Sequence, residues 1–173
     1  LLTSDAVPMN QRMADFYGVS RDGDPEYVSV SFQPEHRAGV LSHPYMLTAF
    51  AYDKASSPIH RGVWLTRNVL GRVLSPPPIA VAPAPLDPHA NLTTRERVEQ
   101  QTSEEMCAKC HNMINPLGFP MEHFDAVGRF RDAEGGKPVN AGGYYVTRAG
   151  ERVEFNGTKE LASFLAASPE THK

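Results

Sequence analysis

The 173-residue sequence predicts a mainly α-helical fold with one small β-hairpin and an extended proline-rich strap. Three observations carry that expectation. Apolar residues recur at helical spacing in several segments bounded by capping residues. Period-two alternation is confined to short runs. Six prolines crowd into the fourteen residues 75–88. The length suits one domain, or a domain with an extended arm.

Met13, Phe16 and Tyr17 share a helical face between Asn10 and Gly18, and Gly18 is placed to cap the C-terminus. Tyr27 to Phe32 alternates large apolar with small polar residues between Pro25 and Pro34, as a half-buried strand does. A second helix is expected to start near Pro44, because proline is tolerated in a first helical turn, with Met46, Leu47 and Phe50 as its apolar residues. His60 to Leu74 reads as a third helix with Trp64, Leu65, Val69 and Leu70 on one face. Residues 1–74 thus form a helical N-terminal region expected to pack on the C-terminal part of the chain. Residues 75–90 form the strap, where each proline removes a donor and fixes φ.

Residues 91–173 form the third region. Thr93 and Glu96 make a capping box, so a helix is expected from Thr94 to about Met106. Pro116, Gly118 and Pro120 are expected to force the chain out of helix. Met121 to Gly128 reads as a short helix. Residues 144–147 and 152–155 read as a hairpin, and Thr158 as the cap of a last helix through Leu165.

Composition excludes several functions. A formal charge of −3 leaves no basic footprint for nucleic acid. Mean hydropathy is −0.39, and no apolar run approaches the ~20 residues of a membrane span, so no transmembrane segment is expected. Starting at Leu1 without methionine or leader, the sequence reads as a piece of a longer precursor.

The chemistry concentrates at Cys107-Ala108-Lys109-Cys110-His111, which holds the only two cysteines of the chain. Cys-x-x-Cys-His is the attachment signal of c-type haem. Thiols three positions apart on a helical turn can each form a thioether to one vinyl group, and His111 comes next as the proximal iron ligand. The bare Cys-x-x-Cys also fits a redox dithiol, a disulfide or half a zinc site. Zinc would need His111 and a further histidine, an unusual set. A thioredoxin-like dithiol expects a βαβ setting that the flanking residues do not supply. The reading adopted is one covalently bound haem c in a c-type cytochrome-like helical domain, residues 91–173. Covalent attachment belongs to oxidising space, so the expected location is periplasmic, extracellular or on the cell surface.

The distal ligand is not specified by a motif, since no methionine follows Met121. Met121, His43 and His60 are alternative candidates, with Met46, Met113 and His123 behind them. An extended ten-residue loop from His111 to Met121 could reach ~33 Å. The competing reading, which is preferred, is Met121 as a core side chain packed on the cofactor. Pro116 is expected to pack under the proximal face, and a backbone carbonyl to orient His111 through its other ring nitrogen.

Residues 107–131, from Cys-x-x-Cys-His through Ile114-Asn-Pro-Leu-Gly-Phe-Pro-Met-Glu-His-Phe-Asp-Ala-Val-Gly-Arg-Phe-Arg131, resemble the haem-bearing segment of the planctomycete-type cytochrome C family. Arg37 to Pro44, Ser57 to Trp64, Leu70-Gly71, the proline strap, and Phe155-Asn-Gly157 with Glu160-Leu161 are similar to the same pattern. The resemblance implies the C-terminal portion of a large multidomain extracytoplasmic protein, in a family described mainly as domains of unknown function. Near those family-like segments, Arg61, Arg129 and Arg131 are candidates to compensate the propionates, with one of Arg129 and Arg131 expected rather than both. The expected function is electron transfer to or from a redox partner protein or other subunits of a larger complex. The alternative is a peroxidase-like enzyme or small-ligand-binding domain with an open sixth position.

Overall fold

Short polar caps and prolines set most of the helices. The computed structural model describes residues 1–21, 26–75 and 91–171. The strap, apart from Ser75, lies outside the described residues. Strand β1 (Ala6–Met9) pairs antiparallel with β2 (Val28–Ser31), Val7 facing Val30. Between them runs α1 (Gln11–Tyr17), where Asn10 accepts from the Met13 N–H and Gly18 takes a left-handed φ of 67° at the C-cap. β1 was not expected, because Pro8 in a four-residue run reads as loop.

Helix α2 (Pro44–Ala49) has Pro44 in its first turn, and His43 caps it by accepting from Tyr45 N–H. Helix α3 (Pro58–Trp64) starts two residues before the expected His60, because Ser57 is its N-cap and Pro58 opens its first turn. It widens into a π turn at Leu65–Val69 and stops before Gly71, which has a φ of 58°.

The largest departure lies around the cysteines. Helix α4 (Thr94–Gln101) carries the expected capping box but ends at Gln101 instead of Met106. Thr102 is its C-cap, and both the N–H and the hydroxyl of Thr102 donate to Val98 O, at 3.0 and 2.7 Å, a back-bond that bends a helix at its last turn. A new helix, α5 (Glu105–Gly118), then begins, so Cys107 lies in a first turn and not a last one. Pro116 does not end α5. Its ring deprives only the Asn112 carbonyl of a helical partner, and Asn112 is exposed. A single 3₁₀ turn, Phe119–Met121, comes after it.

The helix expected at 121–128 is instead a turn built on Asp125, whose Oδ1 accepts from the N–H groups of Val127 at 2.9 Å and Arg129 at 2.8 Å. Two hairpins come next, β3 (Ala133–Glu134) with β4 (Lys137–Pro138), and β5 (Gly142–Val146) with β6 (Arg152–Asn156). Helix α6 (Gly157–Ala167) closes the fold. Thr158 does not cap it; its hydroxyl donates to Pro120 O and ties α6 to the end of α5.

The core lies between α5, α3, α6 and the β5–β6 hairpin, with Leu65, Leu117, Met121 and Leu161 fully buried. Glycines set the approach of the layers. A Cβ on Gly62 would overlap the Ile114 carbonyl, and one on Gly118 the Pro58 carbonyl. A Cβ on Gly143 would overlap Pro116 O. Helix α5 is thus clamped between α3 and β5 by backbone-to-backbone contact.

A buried ionic chain joins the N-terminal region to the rest. Glu122, 2% exposed, accepts from Ser56 Oγ at 2.7 Å and Arg131 Nη2 at 3.1 Å, and lies 3.6 Å from Arg61 Nη1. Arg131 Nη1 reaches Glu134 at 3.1 Å. Glu134 accepts from both the N–H and hydroxyl of Thr94, at 2.7 and 2.6 Å. Burial pushes the Glu134 carboxyl up, but the Thr94 hydrogen bonds and Arg131 outweigh it, leaving it below the usual carboxylate range. A depressed folded-state pKa contributes stability above the unfolded value of ~4.3 and loses it as pH falls. Glu134→Gln is therefore expected to destabilise at pH 7, with the difference from the parent shrinking as pH falls through the carboxylate range in urea titrations.

Candidate functional site

The first two turns of α5 present Cys107, Cys110 and His111 at positions i, i+3 and i+4, which lie along one side of a helix. Both cysteines are free thiols and half-buried. His111 is half-buried, and its Nδ1 lies 2.9 Å from Asn115 Oδ1. Asn115 Nδ2 donates to Thr102 Oγ1 at 2.9 Å. The orienting partner of the imidazole is thus a side-chain amide one turn along α5, and not the backbone carbonyl expected from the sequence.

His111 lines a cavity of about 250 Å³ together with Asn115, Pro116, Phe119, Arg95 and Tyr144. An adjoining cavity of about 470 Å³ shares Arg95, Gly142, Gly143 and Tyr144 and adds Arg152. Together they form a groove between the α4–α5 corner and the β5–β6 hairpin. Arg95 is fixed in it: Nη1 donates to Gly142 O at 2.6 Å, Nε to Glu99 at 2.9 Å, and the guanidinium lies 4.2 Å from the Phe119 ring centroid. Arg152 stacks on Tyr144 at 3.7 Å.

Of the residues singled out by sequence, Pro116 shares this cavity with His111. The others lie elsewhere. Met121 is fully buried in the core. Because α5 stays helical to Gly118, the chain advances only ~1.5 Å per residue and turns inward, instead of looping around a cofactor edge. His43 caps α2. His60 is on the exposed side of α3, 5.1 Å from the Tyr52 ring. Met46 is in the core, and His123 bonds Arg131 O and stacks on Phe130. Met113 lines a separate cavity with Lys109 and Tyr145.

The three arginines are spent on the protein itself. Arg61 is fully buried, its Nη atoms donating to the carbonyls of Met121, Phe124, Asp125 and Leu47. Arg129 is exposed and covers Phe16 at 4.1 Å. Arg131 bridges Glu122 and Glu134. The cations that do line the groove, Arg95 and Arg152, carry no motif. Asn115 was legible only as the i+4 neighbour of His111, and only on a helix that runs through Pro116.

The donor set fits a covalent haem. Two free thiols precede an imidazole whose Nδ1 is already engaged, which leaves Nε2 as the nitrogen without that partner. Among the described residues no group of three or more His, Cys, Asp or Glu is placed to hold a metal ion, so the tetrahedral zinc alternative finds no ligand set there. No helix among them is long and apolar enough to cross a membrane.

Fold and spacing together define a class: a small, mainly α-helical, cytochrome c-like domain with the cysteine spacing of a covalent haem attachment motif. Residues 37–134, more than half of the chain, match the model of PSCyt3, described as a protein of unknown function (DUF1588), and the chain belongs to that family. No curated protein and no solved structure matches it.

Proposed function

We propose that the chain is a monohaem electron-transfer domain of a larger extracytoplasmic protein, with Cys107 and Cys110 as the thioether residues and His111 as the proximal ligand through Nε2. The observation that carries this reading is the engaged Nδ1 of His111 at the edge of the groove, directly after the two free thiols. Bound there, haem would supply a one-electron iron couple. The protein's part is to hold and orient. Asn115 sets the imidazole, Pro116 and Phe119 offer apolar surface, and Arg95 and Arg152 bring positive charge to a groove that must accommodate two propionates. A redox partner protein and a periplasmic or cell-surface location go with this reading.

A second reading is supported by one observation: none of the distal candidates Met121, His43 and His60 lines the His111 cavity, each being placed elsewhere in the fold. An open sixth position would permit small-ligand or peroxide chemistry.

Mass spectrometry of the denatured chain, produced with a c-type haem maturation system, is expected to show one haem adduct, lost in the Cys107→Ala/Cys110→Ala variant. An unmodified parent mass sinks the proposal. Low-spin spectra unresponsive to cyanide favour electron transfer, whereas rapid cyanide binding by high-spin iron favours the second reading.

A further inference from the structure

We infer that Thr102 and Asn115 are positioning residues forming a proton-ordered relay that commits His111 to the tautomer with a free Nε2 and keeps it a neutral, weakly polarised ligand; this rests on the haem reading. The order comes from counting protons. Thr102 has one hydroxyl proton, and its 2.7 Å neighbour Val98 O can only accept, so Thr102 donates there. Toward Asn115, at 2.9 Å, Thr102 Oγ1 must then accept, which requires the amide nitrogen on that side. Asn115 Oδ1 therefore faces His111, and at 2.9 Å it can only accept, so Nδ1 carries the proton. The lone pair is left on Nε2.

The reversed order is worse by a whole hydrogen bond. With the amide turned over, Thr102 would donate to Asn115 and abandon Val98 O, and Asn115 would donate to Nδ1. Three bonds would become two, and Nε2 would hold the proton and be closed to metal. The bond lost is the hydroxyl's to Val98 O, which keeps the Thr102 N–H at 3.0 Å, so the two orders differ by one hydrogen bond. The relay also accounts for the break between α4 and α5: the turn after Gln101 brings Thr102 beside Asn115, thirteen positions later.

An amide oxygen is an uncharged acceptor. It holds the Nδ1 proton without drawing the ring toward imidazolate, as a carboxylate would. The test uses the haem-loaded chain, read by equilibrium reduction potential. Asn115→Asp is expected to shift the oxidised-to-reduced ratio at fixed poise ~tenfold toward oxidised, about 59 mV for a one-electron couple. Asn115→Leu is expected to move the potential the opposite way. Thr102→Val should act like Asn115→Leu but more weakly, while Thr102→Ser, which keeps the hydroxyl, should match the parent.

Asp and Leu at position 115 moving the potential in the same direction, or neither moving it, overturns the relay. If Asn115→Asp fails to load haem, the Thr102 pair decides: Val shifted with Ser unchanged supports the relay, and equal behaviour overturns it. A parent chain without a haem adduct overturns the haem reading instead, and mass spectrometry distinguishes that failure.

Discussion

Replacing Arg61 by methionine is expected to cost about 3–5 kcal/mol of folding stability, the usual result of breaking a buried charge pair from one side. Four carbonyls, those of Leu47, Met121, Phe124 and Asp125, lose the guanidinium donor at once, and of these Met121 O keeps the Phe124 N–H at 3.0 Å. Glu122 keeps Ser56 and Arg131 but loses the cation 3.6 Å from its Oε1. A drop of roughly 10 °C or more in thermal midpoint should result.

The effect should depend on pH in a defined direction. Burial pushes the Glu122 carboxyl up, and Arg61 opposes that shift. Without Arg61 it rises further. A raised folded-state pKa contributes stability at low pH that is lost as pH rises through it, so Arg61→Met should be more damaging at pH 8 than at pH 5. Arg61 itself is drawn down by burial to about 10, still charged at both. Adding Glu122→Gln should recover part of the loss at pH 8. Urea titrations of the single and double variants measure this, and a pH-independent penalty would contradict the assignment of Glu122 as its source.

The second large effect is expected from Gly118→Ala. The added methyl meets the Pro58 carbonyl, carbon and Cα, all backbone, so nothing flexible can give way and α3 must move off α5. Overpacking typically costs about 1–3 kcal/mol and occasionally more, and a main-chain obstacle belongs at the upper end. Gly62→Ala, against Ile114 O on the same interface, should behave alike. Gly142→Ala is the control, because its nearest neighbour is the Asn140 side chain at 3.3 Å. Calorimetry of the three variants is expected to separate the first two from the control by several degrees. Since α5 carries the cysteines and His111, the two interface variants should also lower haem loading.

Much of the fold was legible because local chemistry decided it. Asn10 and Gly18 bound α1, Thr93 and Glu96 start α4, and the alternation on either side of residues 147–151 made the hairpin. What failed were judgements on where a helix stops. Pro116 looked like a breaker, yet the one carbonyl it orphans belongs to an exposed residue. Thr102 looked like an ordinary helix residue, yet its hydroxyl helps end α4. Those two errors together hid Asn115, which can meet both His111 and Thr102 only if α5 starts after the break and runs through the proline.

The site was legible to a similar depth. Cys107, Cys110 and His111 were read from spacing alone, because an i, i+3, i+4 set on a helix needs no tertiary information to share a side. The sequence by itself determined that triad, the helical class and the family pattern around it. Only the tertiary structure decided which arginines face the groove and which are consumed in the core, and that Met121 is packed among Leu117 and Phe124. The physical reason is that a charge or a sulfur has no role until its surroundings are known. Arg61 and Arg95 are chemically the same cation, and burial against four carbonyls in one case and a place on the groove wall in the other separate them.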